Sequence, residues 1–144
     1  MIEEFVSDEG VLLAIVVRSS FDQPGLSFMT KPDGILQVGY MSYQAGHIIP
    51  AHVHLPYIRQ TEGTQEVLFV RSGEVQVDLF AGDRKQQTSL ILRAGDLIVL
   101  VSGGHRFELL KNSSIFEVKN GPYAGDFDKE RFEHKKESAD ATGM

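Results

Sequence analysis

The nonapeptide GHIIPAHVH, residues 46–54, is the stretch on which the interpretation of this sequence depends most. It contains His52 and His54, which are separated by a single residue. Because successive side chains of a β-strand point to opposite faces, a strand over residues 48–54 would project both imidazoles from one face, about 7 Å apart. That spacing suits the ligation of one cation. The alternative is a pair of half-buried strand histidines whose ring nitrogens are satisfied by hydrogen bonds.

A candidate metal site is completed by two more residues that come later in the chain. Glu66 supplies a carboxylate and His105 a third imidazole, and three His with one Glu form a ligand set that a divalent transition metal accepts. We therefore expect one ion of Fe, Mn, Ni or Zn per chain, held by His52, His54, Glu66 and His105. The chain has no cysteine, so a thiolate site does not compete with this interpretation.

The residues around His105 alternate in polarity. Phe107 and Leu109 share its parity, whereas the intervening positions are charged. A strand here would therefore place His105 on the same face as the apolar residues that point into a barrel. The alternative is that His105 lies at the rim of the pocket and binds substrate.

These residues resemble the first motif of the cupin superfamily, G(X)5HXH(X)3-4E(X)6G. Gly46, His52, His54, Glu66 and Gly73 follow it, with five residues before the histidines and six after the glutamate. The departure is the middle gap, which is eleven residues long (55–65) instead of three or four. Insertions between strands normally enter loops, so we expect the ligands to tolerate this one.

The second cupin motif, G(X)5PXG(X)2H(X)3N, is matched less closely. Gly95 opens it, Val101 replaces the proline, His105 comes one position early, and no asparagine lies four residues after this histidine. The resemblance spans roughly residues 34–120. It implies an all-β double-stranded β-helix, the cupin or jelly-roll barrel, with the metal ligands on its inner wall. Cupins include dioxygenases, decarboxylases, isomerases and many proteins without an assigned reaction.

Length and composition restrict the remaining possibilities. A chain of 144 residues is the length of one domain, and it should bury roughly 68–70% of its unfolded surface without disulfides. We expect a single domain over residues 1–134 and a disordered tail over 135–144. The net charge of −6, without a long basic cluster, argues against nucleic acid as a partner. The apolar run at 11–17 is too short to span a membrane, so we expect a cytoplasmic protein.

Short apolar segments separated by glycine-containing turns predict a many-stranded antiparallel fold. One or two helical turns are expected over residues 127–136, close to the charged tail. The predicted strands are 11–17, 27–30, 35–43, 48–54, 65–71, 74–80, 87–92, 97–101, 106–110 and 114–119.

The predicted strand that contains Glu66 is apolar on both faces. Leu68 and Val70 share the face of Glu66, while Val67 and Phe69 point the other way. A strand of this kind needs cover on its outer face, from a second sheet or from a partner subunit. On this ground we expect a homodimer.

The insert at 55–65 joins the two segments that carry the first three candidate ligands. Its Tyr57 and Arg59 are of the types that bind a carboxylate or a sugar hydroxyl, so they are candidates for binding a small-molecule ligand. The alternative is a solvated hairpin. Neither residue is assigned a catalytic role, and the sequence singles out no other acid or base.

Three functions remain open. The first is a small metal-dependent enzyme acting on a compact, oxygen-rich metabolite, a sugar or a small acid, inside the barrel. The second is a module that binds a metal or ligand without turning it over. The third is a metal-independent cupin that resembles the sugar-nucleotide epimerases, in which histidines act as bases.

Overall fold

Ten β-strands form along residues 1–134, the part of the chain that the computed structural model describes. A 3-10 turn, η1 (Gly125–Phe127), follows the last strand. The strands are β1 (Ile2–Val6), β2 (Leu12–Val17), β3 (Gly25–Phe28), β4 (Gly39–Ser42), β5 (Glu66–Ser72), β6 (Glu74–Phe80), β7 (Gln86–Arg93), β8 (Leu97–Leu100), β9 (Gly104–Leu109) and β10 (Ser114–Lys119).

The strands form three antiparallel sheets. The largest has the order β1-β2-β8-β5-β10, a second has the order β7-β6-β9, and β3 pairs with β4 alone. The chain passes from the first sheet to the second at Gly73, which has a φ of +94°. A Cβ atom at this position would lie 2.5 Å from the carbonyl oxygen of Asn112, so only glycine fits the crossing without strain.

The core lies between the five-stranded and the three-stranded sheets. It is built from every second residue of the strands, the residues that point inward, such as Leu68 and Val70 of β5 and Val75, Val77 and Leu79 of β6. Burying one such side chain contributes about 1.5–3 kcal/mol. The prediction of an all-β fold is confirmed. The sheets of the described residues do not close into a barrel.

Nine of the ten predicted strands are present. Most of their predicted ends differ from the observed ends by a few residues. The prediction of a strand over 48–54 is wrong, because no regular secondary structure forms between β4 and β5. In this segment the backbone has no neighbouring strand to pair with, and Pro50 has no N–H to donate. Strand β1 was not predicted.

The predicted helical turns over 127–136 are also wrong for the part that is described, because η1 ends at Phe127 and residues 128–134 form no helix. The tail expected over 135–144 lies outside the described residues. Within residues 1–134, no helix is long and apolar enough to cross a membrane.

The outer face of the five-stranded sheet is covered unevenly. Ile15 and Val99 point away from the core, yet they are 3% and 0% exposed, so the chain itself covers the middle of this face. Towards the β10 edge, Phe69, Phe116 and Val118 remain 38%, 59% and 58% exposed. The apolar outer face predicted for β5 is therefore present and only partly covered.

Candidate functional site

Glu66 and His105 lie at one end of the core and contact each other from opposite sheets. Glu66 is the first residue of β5, and His105 is the second residue of β9. His105 is opposite Leu79 of β6 and shares its face with Phe107, as the alternation predicted. Nε2 of His105 lies 3.2 Å from Oε2 of Glu66. Two of the four predicted ligands are thus brought together.

Two residues of β10 add to this pair. Lys119 lies directly opposite Glu66, and Glu117 lies on the same inward face, opposite Leu68. The pKa of the Glu66 carboxyl is lowered from its usual value, chiefly because His105 hydrogen-bonds to it, while partial burial acts in the opposite direction. A hydrogen bond with Glu117 and the positive charge of Lys119 lower this pKa further. Glu66 is therefore held as a carboxylate.

The pair remains accessible to a ligand. The side chains of Glu66 and His105 are 13% and 33% exposed. Leu109, at the other end of β9, is 53% exposed, whereas Phe107 between His105 and Leu109 packs against the core. The partly exposed imidazole and carboxylate can therefore be reached by a small molecule or a cation at this end of the core.

The start of β5 is anchored by Asn120, which follows β10. Its Oδ1 accepts a hydrogen bond from the backbone N–H of Gln65 at 2.9 Å, and its Nδ2 donates to the carbonyl oxygen of Gly63 at 3.1 Å. Thr64, between them, hydrogen-bonds to Asp128. These bonds fix the backbone immediately before Glu66, and with it the direction of the carboxylate.

His52 and His54 lie elsewhere, in an exposed segment without regular secondary structure. Their ring centroids are 5.3 Å apart, with an interplanar angle of 68°. Nδ1 of His52 donates a hydrogen bond to the carbonyl oxygen of Pro50 at 2.8 Å. Because a carbonyl can only accept, this bond places a proton on Nδ1, so in the neutral ring the lone pair of Nε2 is available.

The four predicted ligands therefore form two separate pairs. Within residues 1–134, no group of three His, Asp or Glu side chains is close enough to hold a metal ion. The physical reason is the missing strand, because the predicted site placed His52 and His54 on one face of a strand over 48–54 and this strand does not form.

Tyr57 and Arg59, the predicted ligand-binding residues, lie in the same exposed segment as the two histidines. The guanidinium carbon of Arg59 lies 5.0 Å from the centroid of the Tyr57 ring, a cation–π contact. The Tyr57 side chain is 75% exposed. In this arrangement the two residues contact each other and solvent.

Sequence reasoning missed Glu117 and Lys119 as members of the site. The signal was present in the alternation of β10, where both residues share the parity of the inward-facing Ile115. A charged residue in phase with a core residue marks a polar end of the core. What the sequence did not supply was the pairing of β10 with β5, on which their proximity to Glu66 depends.

No protein-family model matches the chain, and neither the curated proteins nor the solved structures give a match.

Proposed function

We propose that this chain is a metal-binding protein of the cupin type, built as a double-stranded β-helix, that acts on a compact oxygen-rich metabolite such as a sugar or a small acid. The observation that carries the proposal is the contact between Glu66 and His105 at the open end of the core. The strand order also supports it, because β5 lies between β8 and β10 while β6 lies between β7 and β9, as in two facing sheets.

The distance between the two side chains fits a shared cation. Metal–ligand bonds of about 2.1 Å that meet at 90–110° place neighbouring ligand atoms about 3.0–3.4 Å apart. The separation of 3.2 Å between Nε2 and Oε2 falls within this range. Because His105 hydrogen-bonds to Glu66 in this structure, its Nε2 would have to lose that proton for both atoms to bind one ion.

The hydrogen bond of His52 supports a ligand role for the second pair. A metal-bound histidine usually donates its other ring N–H to a carbonyl or carboxylate, which fixes the tautomer. His52 already makes such a bond with Pro50. Together with His54, Glu66 and His105, it supplies the three-His, one-Glu set.

A bound divalent cation would polarise an oxygen of the substrate and lower the pKa of a coordinated water. Four protein ligands leave two positions open on a six-coordinate Fe, Mn or Ni ion, whereas Zn is nearly closed at four. Lys119, across the ladder from Glu66, is already paired with Asp128, since its Nζ lies 3.9 Å from Oδ2 of that residue. Tyr57 and Arg59 would bind the remaining polar groups of the ligand.

A second candidate function uses the same pair without a metal. A carboxylate that hydrogen-bonds an imidazole orients the ring and stabilises its protonated form, the arrangement of a general base. The lowered pKa of Glu66, due first to its hydrogen bond with His105, favours this alternative. It corresponds to the chemistry of the metal-independent, epimerase-like cupins.

Elemental analysis of protein purified without added metal tests the proposal. We expect close to one transition-metal ion per chain, together with turnover that is lost on chelation and restored by a single metal. A fully folded, metal-free protein that regains no metal on addition contradicts it. Activity that survives excess chelator supports the second candidate, and bound metal without turnover of any sugar or small acid leaves a binding module.

A further inference from the structure

The segment between β4 and β5 forms no strand or helix, and most of it is exposed to solvent. We call residues 43–62 the arm; each of them is exposed to solvent. Its apolar side chains include Ile48, Val53, Leu55 and Ile58, which are 78%, 79%, 79% and 91% exposed. A contiguous set of this kind normally marks an interaction surface.

The backbone of the arm makes almost no hydrogen bonds within the described residues. One backbone–backbone bond falls inside it, from the N–H of His47 to the carbonyl oxygen of Gln44 at 3.2 Å. Backbone groups that are removed from water must be paired, and an extended segment is most simply paired by a neighbouring strand. The unpaired backbone of the arm is therefore available to pair with a neighbouring strand.

The three-stranded sheet has a free edge of the right kind. Within residues 1–134, β9 has one strand neighbour, β6. The inward side chains of β9 near this edge are partly open, as the exposure of Leu109 and His105 shows. An open edge strand is a template for pairing with another extended segment. The free edge therefore belongs to the strand that carries His105, and the Glu66–His105 pair has no third ligand there.

We propose that two copies of this chain exchange arms, so that the arm of each copy pairs along β9 of the other. His52 and His54 of one copy then join Glu66 and His105 of its partner. This part of the inference rests on the metal-binding function proposed above, whereas the exchange itself rests on the exposed arm and the free edge.

A second copy fits better than an unrelated protein for two reasons. The chain carries both the missing strand and the vacant edge, so a reciprocal exchange satisfies both copies and closes with two-fold symmetry. His52 and His54 of the arm would also supply the two further ligands that the proposed site needs beside Glu66 and His105. An unrelated strand would pair with the edge but would leave the site incomplete.

Residues 48–54 match the edge in length and in parity. They number seven, against six residues in β9. In a regular strand His52 and His54 would share one face, and Pro50 is tolerated because the new strand would itself lie at the edge of the sheet.

Oligomeric state tests the exchange independently of any metal. We expect a dimer by light scattering at tens of micromolar, and a monomer when residues 48–58 are replaced by a Gly-Ser linker of equal length. Because the arm lies outside the core, this variant should keep the strand content of the wild-type protein by circular dichroism. The variant Ile48→Asp, which places a charge on the face of the proposed strand that carries His52 and His54, gives a milder change with the same expected result. A monomeric wild-type protein, or a dimer that survives both changes, would overturn the proposal.

Complementation tests the composite site. One variant carries His52→Ala and His54→Ala, and the other carries Glu66→Gln and His105→Ala. We expect neither variant to bind metal alone, and their co-expressed heterodimer, purified through two different tags, to bind one ion per two chains. The control is His47→Ala, which alters a third histidine of the arm and should leave both metal content and dimerisation unchanged.

The outcomes separate the two proposals. A wild-type protein that binds metal together with a heterodimer that binds none means that each arm serves its own chain, which overturns the composite site. A wild-type dimer that loses its dimeric state with the arm but never binds metal contradicts the proposed function while it supports the exchange.

Discussion

Asp78 on β6 lies directly opposite Arg106 on β9, and Nη1 of Arg106 donates a hydrogen bond to Oδ2 of Asp78 at 2.9 Å. The carboxylate is 1% exposed and also accepts hydrogen bonds from Gln76 and Ser89. This relationship ties the central strand of the three-stranded sheet to β9, the strand that carries His105. It lies on the face of the sheet opposite to the core.

Acid should weaken this link. Burial raises the pKa of the Asp78 carboxyl, but the three hydrogen bonds lower it by more, so the pKa lies below its usual value of 3.8. A depressed pKa contributes stability that is fully present above the usual value and is lost as the pH falls through the folded-state pKa. In denaturant titrations between pH 7 and pH 3, we therefore expect Asp78→Asn to lose less stability on acidification below about pH 4 than the wild-type protein does.

Asp83→Asn is the control for that experiment, because the side chain of Asp83 is 54% exposed in a turn. Its acid profile should follow that of the wild-type protein. An unchanged acid profile in Asp78→Asn would show that the Asp78 hydrogen bonds do not contribute to the pH dependence.

The crossing between the sheets should be intolerant of a side chain. Gly73→Ala combines a positive φ with a Cβ atom placed 2.7 Å from the Cα atom of Ser113. We expect a loss of about 1–3 kcal/mol or more in the free energy of unfolding, measured by chemical denaturation. Gly82→Ala is the matched control, since nothing lies within 4 Å of its Cβ position and it should change stability little. Equal stabilities of the two variants would contradict the geometry of the crossing.

Removing the charge of Glu66 should weaken metal binding. We expect Glu66→Gln to lower the affinity for the bound ion by more than about tenfold, equivalent to ~1.4 kcal/mol, because the amide is a poorer ligand than a carboxylate. Competition titration with a chelating dye measures the change. His134→Ala is the comparison, since the His134 ring contacts Phe80 at a centroid distance of 4.9 Å and belongs to neither ligand pair. Comparable losses in both variants would mean that the metal site is wrongly assigned.

Protons should compete with the metal for the three imidazoles. Binding to a cation requires neutral rings, so we expect the metal content to fall as the pH is lowered from 7.5 to 5. Dialysis at each pH followed by elemental analysis measures it, with circular dichroism to confirm that the protein remains folded. Full retention of metal at pH 5 would contradict a site rich in histidine.

Local patterns predicted most of the strands because alternation and glycine turns act over short distances. The bounds predicted for β6 and β10 agree with the structure, and the inward direction of His105 followed from its parity with Phe107. Strand β1 was missed because Glu3 and Glu4 stand side by side and interrupt the alternation.

The arm shows where local pattern is insufficient. Residues 48–54 have the composition of a strand, but a strand exists only where a neighbour supplies hydrogen bonds, and no described residue does so. The roles of Glu117 and Lys119 depended in the same way on the pairing of β10 with β5. Sequence could predict which residue types a site would need, but not which strands would bring them together.

Because the candidate ligands are separated into two pairs, the fraction of metal sites that hold an ion should change when the protein is diluted. If each centre draws two nitrogens from one molecule and the remaining donors from another, its assembly is bimolecular. Saturation then depends on the abundance of the protein as well as on that of the ion, and the protein would release its ion when it becomes scarce.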